Sequence, residues 1–291
     1  MTTRREFLIT SAVASTALTG VANASAHHEL DSQRWGVLTD LTLCIGCRKC
    51  EWACNKENEL PNMPLPLFND TTVFENQRRP TSTQYTVVNR YPTTESNETE
   101  SYAKVQCMHC EHPACVSACI VGALRKDPRG PVTYDAHKCI GCRYCMVACP
   151  FQIPSYEYEN VLTPQVRKCT LCFERTMTDE KRPACVDICP EEAIVFGHRK
   201  DLLKLAHQRI AKHPDRYINH IYGEHEVGGT SWIYLSDRPF TDVGLIDLPT
   251  KNPADITETI QHGVFRGFAA PVLLFGLLGT LMKIMRKDND E

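Results

Sequence analysis

CIGCRKCEWAC (44–54) recurs as CIGCRYCMVAC (139–149), with eight of eleven positions identical and all four cysteines kept. The chain holds 16 cysteines, and they sort into four quartets with none left over. The first is Cys44, Cys47, Cys50 and Cys54; the second is Cys107, Cys110, Cys115 and Cys119. The third is Cys139, Cys142, Cys145 and Cys149; the fourth is Cys169, Cys172, Cys185 and Cys189. Thiolates bind metals, and four complete the coordination of one centre. A disulfide framework has no reason to sort itself into fours, so the count points to four-ligand metal sites.

The spacing narrows the metal. Groups one and three read C-x2-C-x2-C-x3-C. Three thiolates on such a tight loop can wrap an iron–sulfur cubane, with Gly46 and Gly141 where the loop needs unusual dihedrals. The fourth cysteine stands one helical turn beyond the third, on a segment leading away. It therefore reaches a neighbouring cluster more easily than its own, the habit of two-cluster ferredoxins. Groups two and four, C-x2-C-x4-C-x3-C and C-x2-C-x12-C-x3-C, share Pro-Ala-Cys-Val-x-x-Cys (Pro113–Cys119 and Pro183–Cys189). Pro150 and Pro190 follow the last cysteines of groups three and four, as in bacterial ferredoxins; Asn55 and Ile120 depart from that habit in groups one and two. Structural zinc also favours C-x2-C pairs, and an exported chain permits disulfides. Neither produces x2-x2-x3 quartets.

The duplication thus predicts two interleaved dicluster modules and four 4Fe–4S clusters. Cys44, Cys47, Cys50 and Cys189 are expected to hold one, and Cys169, Cys172, Cys185 and Cys54 the second. Cys107, Cys110, Cys115 and Cys149 are expected to hold the third, and Cys139, Cys142, Cys145 and Cys119 the fourth. Inside the second group's first pair stands His109, a candidate outer donor or alternate ligand. Basic residues crowd the motifs: Arg48, Lys49, Arg125, Lys126, Lys138, Arg143, Arg167 and Lys168. Cations beside a cluster raise its potential, although a solvated surface balancing acidic residues explains most of them.

The elements that must position these loops are short. Trp35–Thr39 reads as a strand, and Tyr85–Tyr91 and Tyr102–Gln106 as two strands flanking a polar turn. After Cys189, EEAIVFG suggests a strand and RKDLLKLAHQRIAKHP a helix stopped at Pro214. YGEHEVGGTSWIYL supplies a glycine-rich turn into a strand, with Gly228-Gly229-Thr230 a candidate docking surface. Residues 239–262 read as an extended tail. The expected fold class is α+β: two interleaved bacterial-type dicluster ferredoxin modules with loop-rich insertions, plus one C-terminal transmembrane helix.

Both ends carry address information. Arg4 and Arg5 precede Phe7-Leu8, a small-residue apolar stretch and cleavage-type positions at Ala22–Ala24 or Ala24–Ala26. That is the pattern of a twin-arginine export signal over 1–26. That route carries folded proteins, so a metal centre can be installed before crossing. Near the other end, Gly267–Met282 is uncharged. At ~1.5 Å per residue it spans about 24 Å, and Val264, Phe265 and a snorkelling Arg266 bring it near the ~30 Å hydrocarbon core. Lys283, Arg286 and Lys287 follow, placing the C-terminus in the cytoplasm. The expected organisation is signal 1–26; double dicluster core 27–200, with 44–54 and 169–189 forming one module and 107–149 the other. An extension and partner-docking segment 201–262, an anchor 263–285 and a cytoplasmic tail 286–291 complete it. The body is expected on the periplasmic face of the inner membrane.

Composition excludes other classes. Across 291 residues the formal charge is −3 with 23% charged residues, and the pI near 6.4 lacks the basic excess of a nucleic-acid binder. No Ser/His/Asp grouping, phosphate loop or dinucleotide fingerprint stands out. A cluster saturated by thiolates has no open coordination site for substrate.

The signal, Gln106–Cys110 (QCMHC), Cys142–Pro150 (CRYCMVACP), Tyr222-Gly223-Glu224 with Gly228-Gly229-Thr230, and the C-terminal apolar segment together carry a resemblance. The chain resembles the exported four-cluster iron–sulfur (beta) subunits of membrane-bound oxidoreductases, most of all the electron-transfer subunit of the hydrogenase-2 type of nickel–iron hydrogenase. The resemblance covers nearly the whole length, but its cysteine motifs also occur in beta subunits of formate dehydrogenases. It implies a non-catalytic wire between a periplasmic catalytic or cytochrome subunit and a polytopic, quinone-interacting membrane subunit. A beta subunit of a formate dehydrogenase-like or other molybdenum- or cytochrome-linked respiratory complex is the alternative. A self-sufficient reductase and a purely structural adaptor are the readings from other classes.

Overall fold

The computed structural model describes residues 34–92, 100–160 and 162–255, together with Glu258, Val272 and 275–279. The expected signal 1–26, most of the expected anchor 263–285 and the tail 286–291 lie outside the described residues. Among the described residues no helix is long and apolar enough to cross a membrane.

In chain order the strands and helices are β1 (Trp35–Asp40), α1 (Lys49–Glu57), β2 (Val87–Tyr91) and β3 (Ser101–Val105). Then come α2 (Ala114–Ser117), β4 (Leu124–Lys126), β5 (Val132–Tyr134), α3 (Tyr144–Ala148), β6 (Ser155–Tyr156) and β7 (Val166–Arg167). The C-terminal part adds α4 (Phe173–Met177), α5 (Ala184–Asp187), β8 (Ile194–His198), α6 (Arg199–Lys212) and β9 (Trp232–Leu235).

β1 is the middle strand of a three-stranded sheet, antiparallel to β8 and parallel to β9. Its side chains alternate between two cores, as the period of two requires. Leu38, with Ile233 and Leu235 of β9, faces Leu202, Ala206 and Ile210 of α6, which recur every four residues on one helical face. Val37, with Trp232 and Tyr234, faces the larger core that contains Cys54, Cys107, Cys169 and Cys185. The sheet is therefore a wall with a helix on one side and the cysteines on the other. α6 stops at Lys212 because His213 precedes Pro214, whose ring disfavours helical dihedrals in the residue before it.

The two halves repeat one plan. β1 leads into the first cysteine loop and β5 leads towards the third, and in each lead-in an aspartate caps a turn. Asp40 accepts from the Thr42 N–H at 3.1 Å, and Asp135 accepts from the His137 N–H at 3.1 Å. β8 follows the fourth group and pairs antiparallel with β1; β4 follows the second and pairs antiparallel with β5. α1 packs against α5, which joins groups one and four, while α2 packs against α3, which joins groups two and three.

The segment expected as an extended tail is packed through residue 255. Phe240, Val243 and Leu245 enter the cysteine-containing core, and Asn252 and Ala254 are buried. Its polar, proline-containing sequence hid three apolar anchors spaced too irregularly to show a period.

Candidate metal centres

Each quartet begins with a two-residue loop, and all four loops take the same turn. The residue before the second cysteine has a left-handed backbone in every case: Gly46 at φ 68°, His109 at 48°, Gly141 at 69° and Leu171 at 56°. Glycine is free there, but a histidine and a leucine accept about 1–2 kcal/mol of strain to hold it. That shared dihedral turns the backbone N–H groups inward. The Gly141 and Leu171 amides each donate to the first sulfur of their own loop at 3.4 Å, and the Ala123 amide donates to Cys119 Sγ at 3.2 Å. In groups one and three a second left-handed residue, Arg48 or Arg143, starts α1 or α3.

All sixteen thiols are free, and none is paired as a disulfide. Burial raises them, and each buried thiol also reports its neighbours through their charge. Cys44 is pushed up to about 11 by burial, with Cys189 and Cys47 acting in the same direction. Burial raises Cys54 far above the ordinary thiol range, and Cys169, Cys185 and Cys172 add to it. Cys110 is raised by burial and then by Cys107, Cys149 and Cys115. Cys145 is pushed up to about 11 by burial, then by Cys119, Cys139 and Cys142. Cys54, Cys110 and Cys145 thus each feel the cysteines that put the last one of one group with the first three of another, and Cys44 feels Cys189 together with Cys47. The packing agrees: Cys54, Cys107, Cys169 and Cys185 share one core with Cys50, Cys110, Cys149 and Cys189 against it, and Cys115 and Cys145 share another with Cys119 and Cys139.

The same influences run between the groupings. Cys50 feels Cys185, Cys169 feels Cys107, and Cys115, pushed up to about 12 chiefly by burial, feels Cys145. Four thiols, Cys44, Cys47, Cys50 and Cys189, line one small cavity. Among the described residues no three His, Cys, Asp or Glu side chains converge tightly enough to hold a single metal ion. Thiolates on one zinc would sit within bonds of ~2.3 Å, whereas a cubane needs its four corners spread apart.

Residues 99–199 match the family described as 4Fe-4S dicluster domain. A protein of Nitratidesulfovibrio vulgaris (strain Hildenborough) is 48% identical, over 87% of this chain and 70% of that protein. The hydrogenase-2 operon protein HybA of Escherichia coli O157:H7 is 32% identical over 98% of this chain and 96% of its own. The nitrate-inducible formate dehydrogenase iron-sulfur subunit of Escherichia coli K12 is 36% identical over 84% and 80%. The chain belongs to this family of iron–sulfur electron-transfer subunits. Its cofactors are four 4Fe–4S clusters, and it serves electron transfer in an oxidoreductase complex.

The residues of this iron–sulfur subunit fit a sulfur-rich group. The His109 ring is fully buried, and its Nδ1 accepts the Val132 N–H at 2.9 Å, so the ring proton sits on Nε2. That Nε2 has no partner among the described residues. A buried donor without an acceptor is rare; inside a cysteine loop, the sulfur of a bound cluster would supply one.

The basic residues divide in two. Lys138 pairs with Asp135 at the surface, as the bland reading anticipated. Arg48 and Lys168 are buried instead. Arg48 donates to Glu51, and Lys168 Nζ donates to the carbonyls of Val132 and Cys169. The pattern missed Lys104 altogether, a fully buried lysine in the middle of β3. Its signal was a lysine and a glutamine alternating, at 104 and 106, on a strand buried on both faces. The Gly228-Gly229-Thr230 turn, a candidate docking surface set against a plain hairpin turn, is used internally at its last two residues. The Gly229 carbonyl accepts the Glu111 N–H, and Thr230 bridges Cys110 and is buried.

Proposed function

We propose that this subunit relays single electrons through its four clusters, between a periplasmic redox subunit such as a hydrogenase and a quinone-interacting integral membrane subunit. Cys44, Cys47, Cys50 and Cys189 hold the first cluster, and Cys54, Cys169, Cys172 and Cys185 the second. Cys107, Cys110, Cys115 and Cys149 hold the third, and Cys119, Cys139, Cys142 and Cys145 the fourth. The observation that carries this reading is packing: Cys54, Cys107, Cys169 and Cys185 share one core with Cys50, Cys110, Cys149 and Cys189 against it, and Cys115 and Cys145 share a second with Cys119 and Cys139, so that the Cys107 quartet joins the other three into a line from Cys44 to Cys139. A bound cubane takes up and gives back one electron at a time; the protein supplies spacing, burial and hydrogen bonds to sulfur.

The ends of the line support partner contact. At one end Cys142 is exposed, with Ile120, Ile140, Tyr144 and Val147 also exposed around its loop. At the other, Ile45 is exposed between Cys44 and Cys47. Export by the twin-arginine signal and anchoring by 263–285 complete the reading. In its favour, Val272 and 275–279 are helical, and Val272, Phe275, Leu277 and Leu278 lie exposed, as lipid-facing side chains would. The similarity to a formate dehydrogenase iron-sulfur subunit keeps a molybdenum enzyme as the alternative donor.

The membrane complex, solubilised anaerobically in detergent, tests this. About sixteen irons per chain, four reversible paramagnetic centres and co-migration with a catalytic and a polytopic subunit are expected. Zinc in place of iron, or a soluble isolated chain with its own turnover, would refute the proposal.

A further inference from the structure

Lys104 stands in the centre of β3, with its side chain in the cysteine core and only 2% of its surface exposed. It forms no ion pair with any carboxylate among the described residues. Its ammonium lies 4.4 Å from the centre of the Trp232 ring and donates to Gln106 Oε1 at 2.9 Å. Gln106 in turn donates from its amide to Tyr234 Oη, and Tyr234 returns a hydrogen bond to the Lys104 carbonyl at 2.8 Å. The ring, the amide and the phenol fix where the charge sits.

The charge faces sulfur on two sides. Lys104 lines the same cavity as Cys44, Cys47, Cys50 and Cys189. Trp232, against which its ammonium lies, belongs to the core that contains Cys54, Cys169 and Cys185 of the adjoining quartet, and its charge acts on those thiols. A buried ammonium with no counter-charge is strongly unfavourable. The negative charge that balances it must come from the two thiolate-ligated groups it separates, each about −2 when oxidised.

We propose that Lys104 is a shared potential-setting residue, one fixed cation between the Cys44 and Cys54 quartets that raises the reduction potential of both clusters together. Adding an electron to either cluster brings more negative charge against the ammonium, so the reduced states gain more from it than the oxidised ones. The thiols that act on it most strongly all belong to these two quartets. Lys104 touches no substrate; it acts on the clusters through space. The inference rests on the ligand sets proposed above.

The test is EPR-monitored redox titration of the intact complex carrying Lys104→Gln, Lys104→Arg or no change. Lys104→Gln is expected to move two of the four centres to lower potential and leave two in place, with Lys104→Arg returning both towards the wild-type values. Iron content separates the two readings. Wild-type complex well short of about sixteen irons would overturn the ligand sets, whereas full iron with all four potentials unmoved in Lys104→Gln would overturn the role of Lys104. A uniform shift of all four would also overturn it, because that is the mark of a general structural change. Should Lys104→Gln fail to load, Gln106→Glu sets a carboxylate against the ammonium, and the same two centres must fall; unmoved centres there refute the proposal.

Discussion

Glu51 and Arg78, far apart in the chain, meet at 2.6 Å behind the first cysteine loop. The Glu51 carboxylate has no exposed surface and also accepts from Arg48, from Gln84 and from the backbone N–H of Val88 at 2.6 Å. It ties the first turn of α1, which carries Cys50, to β2. Glu51→Ala leaves Arg48 buried and unpaired, so the folded state should lose about 3–5 kcal/mol. Chemical denaturation of the iron-loaded protein under anaerobic conditions reads this directly. An unchanged midpoint would mean that the carboxylate is not what anchors the loop.

Gly46 is the position in the first loop where substitution should be least tolerated. Its backbone is left-handed, and an added Cβ would collide with the Tyr102 ring. Gly46→Ala should therefore cost one cluster, lowering iron from about sixteen to about twelve per chain, and pairing it with Tyr102→Ala should recover part of the loss. Gly122 is the control: its φ is also positive but nothing lies within 4 Å of the added atom. Gly122→Ala should keep all the iron, at a backbone cost of about 1–2 kcal/mol.

His109→Leu removes the buried Nε2 donor and leaves the Val132 N–H without its acceptor. One unsatisfied buried amide costs about 1–3 kcal/mol, which a well-folded subunit tolerates. The centre held by the Cys107 quartet should fall in potential while the others stay. A redox titration in which no centre moves would place the His109 proton away from the cluster.

Removal of iron should unfold much of the body rather than empty four pockets. Cys54, Cys107, Cys169 and Cys185 belong to the same core as Val37, Trp232 and Tyr234, so the metal centres and the sheet share one interior. Metal binding is then part of the folding free energy. Calorimetry of chelator-stripped protein should show no cooperative transition comparable to that of the loaded form. A matching transition would mean that the sheet and α6 stand alone.

Much of this was legible from residue types. Strands β1, β2, β3, β8 and β9 and helix α6 follow from alternation, helical period and the stop at Pro214, and the quartets from counting. Other features were not legible, for physical reasons. His109 and Leu171 hide the loop equivalence because neither resembles the glycine whose dihedral it adopts. Arg48 and Lys168 look like solvated surface in a list of cations; only the packed chain shows that Glu51 and two carbonyls surround them. Lys104 is hidden for a related reason. A lysine in a short strand is ordinarily an edge residue, and nothing local says that the strand will lie against cysteines contributed by residues 44–54 and 169–185.

The place of β1 between β8 and β9 has a consequence for biosynthesis. Among the described strands the first to leave the ribosome has no strand partner until residues 194–198 emerge, and its second edge stays open until 232–235. The hairpin of β4 and β5, by contrast, closes within a dozen residues of itself. The pairing of the N-terminal strand is therefore completed only after most of the body has emerged, long after that hairpin. A cell that surveys whether β1 is paired is, in effect, asking whether the whole body has been completed.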